Sequence, residues 1–279
     1  MTGRREKTPR KERPAPTRAL DRGLRVLEAV AARPNQTLAE IAEACDLSPP
    51  TTLRILDTLL VRDFVARDDV ARTYGVGLKA LEVGSRFLSE TRLQETSHAI
   101  LQRLAEDTGH TAMLAILQGR DVIYIDVREG SGTLKSTPRI GARAPVHATA
   151  PGKVLMAWRW AAGLVEALGP DPFQAFTPET ITGFAPFRDE LGQVREAGVA
   201  FDRQEHQQDI TCIAAPIRNR VGDVIAALSI EGLTRQLGHR EAEIVEALRY
   251  GAGEVSQRLG WRPVAIRGQG SDESSPLID

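Results

Sequence analysis

Cysteine is nearly absent from this chain of 279 residues: it has two, Cys45 and Cys212. They stand far apart, neither at metal or redox spacing, and a disulfide framework is excluded. That scarcity reads as a reduced, cytoplasmic protein. Long apolar runs are lacking too. No run of about eighteen apolar residues exists, so nothing reads as a membrane span. The opening MTGRREKTPRKERPAPTR has charge but no apolar stretch, and does not read as a secretory signal. An excess of one charge is also missing, with 36 lysines and arginines against 37 aspartates and glutamates. Overall basicity therefore gives no argument for a nucleic-acid partner. No glycine-rich phosphate loop and no metal-spaced cluster is present, so neither cofactor nor metal is expected.

What is present is a core and a strongly uneven organisation. Hydrophobic residues make up 42% of the chain, and its length suits two domains. Residues 1–16 hold six basic residues, two acidic ones and three prolines, and read as a disordered basic arm. In RALDRGLRVLEAVAARP, Leu20, Leu24, Leu27 and Ala31 recur at helical spacing until Pro34. TLAEIAEACD is a second helix, with Thr37 as N-cap and Leu38, Ile41, Ala42 and Cys45 on one stripe. After the turn Asp46-Leu47, Ser48 is the N-cap of a third helix and Pro49 its first residue. Leu53, Leu56 and Leu60 continue the apolar face. FVARDDVARTYGVG then reads as a hairpin with a charged tip.

From Leu78 to about Asp107 the pattern is helical, with a break near Ser89-Glu90-Thr91. Beyond Gly109, TAMLAILQ, DVIYIDVRE and TLKSTP read as strands. ATAPGKVLMAW and RDELGQVREAG read as helices. CIAAPIRN and DVIAALSIEG form a strand pair, and HREAEIVEALRYGAGEVSQRL is a closing amphipathic helix. The class is α+β, an antiparallel sheet with helices packed against it. The boundaries read as 17–78, a linker helix 79–95, a second domain 96–262 and a polar tail 263–279.

Three short helices followed by a wing form a DNA-docking device, a winged helix-turn-helix. The second helix crosses the backbone and the third enters the major groove. Candidate contacts are Ser48, Thr51, Thr52, Arg54 and Thr58, with Arg18 and Arg22 on the first helix. Arginine pairs bidentately with guanine or clamps a phosphate, and small hydroxyls suit phosphate. Against DNA stands the charge of residues 17–78, eight arginines and nine acids. The electrostatic footprint must come from placement, a second subunit or the arm.

These patterns resemble the IclR family of bacterial transcription regulators. The matching pieces are RALDRGLRVLEAV, TLAEIAEACDLSPPTTLRILDTL, TYGVGLKALEVG, GARAPVHATAPGKVLMA and GVAFDRQEHQQDITCIAAPIRNRVGDVIAALSIEG. In the last, Gly198, Asp202, Glu205, Cys212, Ile213, Ala214, Ile217 and Asn219 fall in place. Departures are Asp46 and Asp63 at usual glycines, Pro49-Pro50 at a usual polar pair, and Arg218 where an aromatic or histidine is preferred. The resemblance implies a winged helix-turn-helix joined to a GAF-like effector domain, assembled as a dimer or dimer of dimers. It implies a regulator, often a repressor, of a catabolic operon that responds to an organic or aromatic acid. It places Asp202, Cys212, Ser229, Glu231 and the Ala150-Pro151 segment at the effector pocket. Its expected partners are an operator in double-stranded DNA, the effector and a second copy of the chain.

Period two along DVIAALSIEG puts Ile225, Ala227, Ser229 and Glu231 on one face. Thr149 is read as a helix N-cap whose free amides attract anions. Glu231 would repel an acid, so the ligand carries a donor group, as a hydroxylated acid does, or Glu231 bonds Arg139 or Arg143. Read singly, Cys212 is a small buried hydrophobe, Ser229 a tolerated strand residue, and His147 and His206 structural hydrogen-bonders. Two rival functions stand beside the regulator. An enzyme could use Cys212, His206 and Asp202, although an apolar strand raises a thiol's pKa. An adaptor could use the winged helix to bind protein, as that domain's near-neutral charge allows.

Overall fold

A computed structural model describes residues 17–90, 92–132, 138–158, 168 and 171–262. The arm over 1–16, the tail from 263 and all of TLKSTP but Pro138 lie outside the described residues. The chain divides into two compact units between Glu90 and Thr91.

The first unit runs α1 (Arg18–Ala32), β1 (Gln36–Thr37), α2 (Leu38–Cys45), α3 (Pro49–Val61), β2 (Val65–Asp68), β3 (Thr73–Val76) and α4 (Leu78–Glu90). The hairpin β2–β3 gains β1 as a third antiparallel strand, in the order β1-β3-β2. Thr37 and Glu40 close a capping box, each side chain meeting the other's backbone N–H, which starts α2. Asp46 ends it in left-handed geometry (φ 52°), and its N–H donates to the Ala42 and Glu43 carbonyls. Asp63 is also left-handed (φ 58°). Aspartate tolerates this region better than most residues, so both departures from glycine keep their turns. Gly77 has no such freedom. A Cβ there would lie 2.1 Å from the Asp63 carbonyl oxygen, where the chain crosses back over the end of α3.

The core joins Val26 and Val30 of α1 to Ile41, Cys45, Leu56, Val65 and Tyr74. This corrects the expected face of α1: Leu20 and Leu24 are 63% and 52% exposed, and Ala31 is exposed. Two apolar stripes run along this helix, and the one that packs is that of Val26 and Val30. Leu53 is likewise at the surface. The buried Gln36 amide donates to the Ala29 (2.6 Å) and Arg33 (2.8 Å) carbonyls, meeting acceptors that the end of α1 leaves open.

The second unit runs α5 (Leu93–Thr108), β4 (Thr111–Gln118), β5 (Asp121–Arg128), β6 (Arg143–Pro145), α6 (Ala150–Ala157), α7 (Phe184–Ala197), β7 (Ala200–Arg203), β8 (Ile210–Arg218), β9 (Val224–Leu233), α8 (Thr234–Gly238) and α9 (Glu241–Arg258). The strands form one antiparallel sheet in the order β6-β5-β4-β9-β8-β7. Helices α5 and α9 cover one face, where Gly251 packs against Ile100, Leu104 and Leu228. Helix α6 covers the other and α7 packs against α6, with Val154, Leu155, Phe187 and Leu191 sharing one core with Met113, Ala115, Cys212, Ala214 and Ala227.

Every residue of α6 is buried, its start included. Gly152 permits this, since a Cβ there would lie 2.3 Å from the Val146 carbonyl oxygen. Trp158 ends α6, and its indole lies under the Arg218 guanidinium at 4.7 Å, with the Trp261 ring at 5.9 Å. Arg218 also donates to the Gly222 carbonyl (2.9 Å), which accounts for an arginine at this signature position.

Candidate functional site

The third helix presents an exposed polar side. Ser48 and Arg54 are exposed, as are Thr58 and, on α1, Arg18 and Arg22. Arg22, Thr51, Arg54 and Thr58 line one groove of about 640 Å³ together with Leu20, Leu24, Ile55 and Leu59. Thr52 does not belong to this surface. It is fully buried and its hydroxyl donates to the Ser48 carbonyl (3.2 Å). One residue along a helix is a turn of about 100°, which carries Thr52 inward from Thr51. Ser48 caps α3 by position alone, its hydroxyl pairing with that of Thr51 (2.9 Å) and not with a backbone amide. Several acids of this unit serve local structure. Glu40 closes the capping box, Asp46 and Asp63 form turns, and Asp68 accepts from the Val70 and Ala71 amides at the wing tip.

In the second unit the register builds a polar row on the face beneath α6. Asp202 lies opposite Cys212, Cys212 opposite Glu231, and Glu231 opposite Thr111. The next row on that face holds Ala200, Ala214, Ser229 and Met113. Directly opposed antiparallel residues point the same way, so Asp202, Cys212, Ser229 and Glu231 share one surface. Cys212, Ser229 and Asp202 are 2%, 0% and 4% exposed. The Ser229 hydroxyl is buried with no hydrogen-bond partner among the described residues.

Asp202 is held by the loop that follows β7, its Oδ1 accepting from the backbone N–H groups of Glu205 (2.7 Å) and His206 (3.3 Å). Burial pushes its carboxyl up to about 7, and the Glu205 charge adds to that. Glu231 also rises to about 7, through burial and then the Asp202 charge. Burial raises the Tyr124 hydroxyl well above its ordinary value, and the neighbouring Cys212, Glu231 and Asp202 push the same way. Cys212 is raised well above an ordinary thiol by burial, Glu231 and Asp202, with Ser229 offsetting a part. A thiol so raised stays protonated at neutral pH, which argues against a nucleophile.

Sequence reasoning missed Lys153. It is 1% exposed on α6, and its Nζ donates to Glu205 Oε1 (2.5 Å), Glu190 Oε1 (3.0 Å) and the Phe201 carbonyl (2.8 Å). These bonds tie α6 to α7, to β7 and to the loop that follows β7. A lysine in a short helix gives no sequence signal of burial, since its partners lie 37 to 52 residues away. Two expectations need correction. Thr149 is the N-cap by position, but its hydroxyl turns back to the Pro145 carbonyl (2.8 Å). Arg143 pairs with Asp121 (2.9 Å) and not with Glu231. His147 Nε2 donates to the Gln174 carbonyl (2.9 Å) as a structural hydrogen-bonder.

Comparison with known proteins bears on the whole chain. The family model described as the IclR helix-turn-helix domain matches residues 19–69, and that of the bacterial transcriptional regulator IclR C-terminal matches residues 85–257. The regulator BhcR of Paracoccus denitrificans is 35% identical over 240 residues, 86% of each chain. The regulator XynR of Escherichia coli is 33% identical over 245 residues, covering 87% of this chain and 97% of its own. An IclR homologue of Microbacterium hydrocarbonoxydans, solved with 4-hydroxybenzoate, superposes with a TM-score of 0.77 at 27% identity, over 86% of this chain and 98% of that one. The winged helix, the covered antiparallel sheet and these matches together place the chain in the IclR family of bacterial transcriptional regulators.

Proposed function

We propose that this chain is a DNA-binding repressor of a catabolic operon whose operator affinity is set by a small molecule held in the second unit. Residues 17–78 grip double-stranded DNA, 79–95 link, and 96–262 hold the effector. One observation carries the reading. A chain with a winged helix places an unpartnered buried hydroxyl beside the buried Asp202 and the half-buried Glu231 on the inner face of a separate sheet unit. Burying polar groups without partners is costly, and a ligand that meets them repays that cost on binding. Ser48, Thr51, Arg54 and Thr58 with Arg18 and Arg22 meet DNA. Asp202, Cys212, Ser229 and Glu231 meet the effector, with Thr149, Ala150 and Pro151 closing the pocket at the start of α6.

One winged helix reads too few bases for specificity, so the regulator works as a dimer or a dimer of dimers on a two-fold operator. Leu78, Leu81 and Val83 on α4 are all more than half exposed and suit contact between copies. Binding of the effector alters DNA affinity by favouring one arrangement of that assembly. The test is a gel retardation assay on the DNA upstream of the chain's own gene, with light scattering of the free protein. A sequence-specific shift by a dimer or larger species is expected. A monomer that binds all DNA alike refutes the proposal, and one that binds no DNA favours a protein-docking adaptor.

A further inference from the structure

We propose a second small-molecule site, distinct from the effector pocket, in the cavity between the outer edge of β7 and helix α7. Its occupant is a short organic diamine carrying two positive charges. The inference does not depend on the reading of the effector pocket.

The cavity lies where the sheet ends. β7 is the last strand of the order, so one of its edges pairs with no strand. Along that edge Phe201 and Arg203, with Glu190 and Val194 of α7 and Glu205 of the following loop, line a space of about 420 Å³. That is the size of a small-molecule site, ~300–1,000 Å³. Its described lining includes none of Asp202, Cys212, Ser229 and Glu231.

The charges of this lining do not balance. Glu179, Glu190 and Glu205 contribute three carboxylates. Lys153 spends its three N–H donors on Glu190, Glu205 and the Phe201 carbonyl. Arg203 holds Glu241 through two bonds (2.7 and 3.0 Å) and lies over the Phe201 ring at 4.2 Å. With Arg203 neutralised by Glu241, three acids face one lysine, a surplus of two negative charges. Glu179 is exposed and has no ion pair among the described residues.

A second observation is independent of that surplus. Glu205 is 6% exposed. Its Oε1 takes the lysine, and its Oε2 is buried with no hydrogen-bond partner among the described residues. An acceptor left open in this way is costly, and an N–H donor brought to it removes the cost.

The class of occupant follows. No group of three acids, cysteines or histidines among the described residues is placed to hold a metal ion, so a bare ion does not meet all three carboxylates. A short chain with an ammonium group at each end does. One nitrogen serves Glu205 and Glu190, the other the exposed Glu179, and the methylenes rest on Ile181, Val194 and Val199. An anion finds no free counter-charge, since Lys153 and Arg203 are both taken.

The test titrates the full chain with putrescine, a four-carbon diamine, and with butylamine and succinate as its monoamine and diacid counterparts. Sodium chloride at about 0.15 M screens diffuse attraction to exposed charge. Calorimetry and the shift in Tm read binding, and circular dichroism checks that each variant is folded. The diamine is expected to bind about tenfold more tightly than the monoamine, the scale of one further charge-assisted contact, and succinate is expected not to bind. Glu205→Gln should weaken the diamine about tenfold. Glu179→Gln, at the surface and safe for folding, should weaken it about two- to fivefold. The proposal is overturned if putrescine does not bind, if butylamine or succinate binds as tightly, or if Glu179→Gln and Glu205→Gln both leave putrescine binding untouched. Putrescine binding lost in Ser229→Ala would put the molecule in the effector pocket and overturn the second site equally.

Discussion

Replacing Glu231 by glutamine should stabilise the ligand-free protein above neutral pH and leave it unchanged in acid. The carboxyl is pushed from its ordinary 4.5 up to about 7, first by burial and then by Asp202. That displacement corresponds to ~3 kcal/mol of penalty on the ionised form. The sign follows from proton linkage. Below about pH 4.5 the group is protonated in folded and unfolded chains alike, and glutamate and glutamine are equivalent. Between about 4.5 and 7 the unfolded chain releases the proton while the folded one keeps it, so stability falls as pH rises. Above about 7 the full penalty is present. Glutamine keeps the shape and never ionises. For a unit of this size ~1 kcal/mol moves Tm by ~2–4 °C, so the variant should melt about 5–10 °C higher at pH 8 and together with the parent at pH 4.5. Thermal melts from pH 4.5 to 8.5 followed by circular dichroism measure this. Parallel curves across the whole range would sink the reasoning, because Glu231 would then be solvated or already paired.

Three further outcomes are expected. Arg54→Ala should weaken operator binding by about 1–3 kcal/mol in a retardation assay, whereas Thr52→Val should leave it within about twofold (under ~0.5 kcal/mol), since that hydroxyl meets only the Ser48 carbonyl. Lys153→Met should cost ~3–5 kcal/mol in urea denaturation by leaving Glu205 buried without its cation, and Lys153→Met with Glu205→Gln should recover most of it; a loss under ~1 kcal/mol for the single variant contradicts the buried network. Removing residues 1–16 should weaken binding to all DNA sequences alike and flatten the dependence of log affinity on log salt, so an unchanged slope makes the arm a passive tail.

The legible and the hidden parts of this molecule divide along physical lines. The path from Thr37 through Asp46 to α3 was readable because caps and turns are local, set by residues within four of one another. The row of Asp202, Cys212 and Glu231 followed from period two together with the family resemblance, and the strand register brings its members together. The packing side of α1 was not readable. Leu20 and Leu24 recur at the same helical interval as a core stripe would, and only the neighbours decide which stripe packs. Thr51 and Thr52 are alike in type, so chemistry alone could not say which hydroxyl turns inward. Lys153 was hidden because its burial depends on acids far along the chain, as with any long-range ion pair.

The stack of Arg218 on Trp158 supplies an optical reporter. Helix α6 begins at Ala150, beside the proposed ligand site, and ends against that indole. The chain has three tryptophans, so intrinsic emission comes from few sources, and Trp158 is the one that closes this helix. A cation resting on an indole face perturbs its excited state, and any occupant that shifts α6 changes the separation of the two groups. Ligand arrival at one end of an eight-residue helix can therefore be followed as a colour or intensity change at the other, in the native chain and without a label.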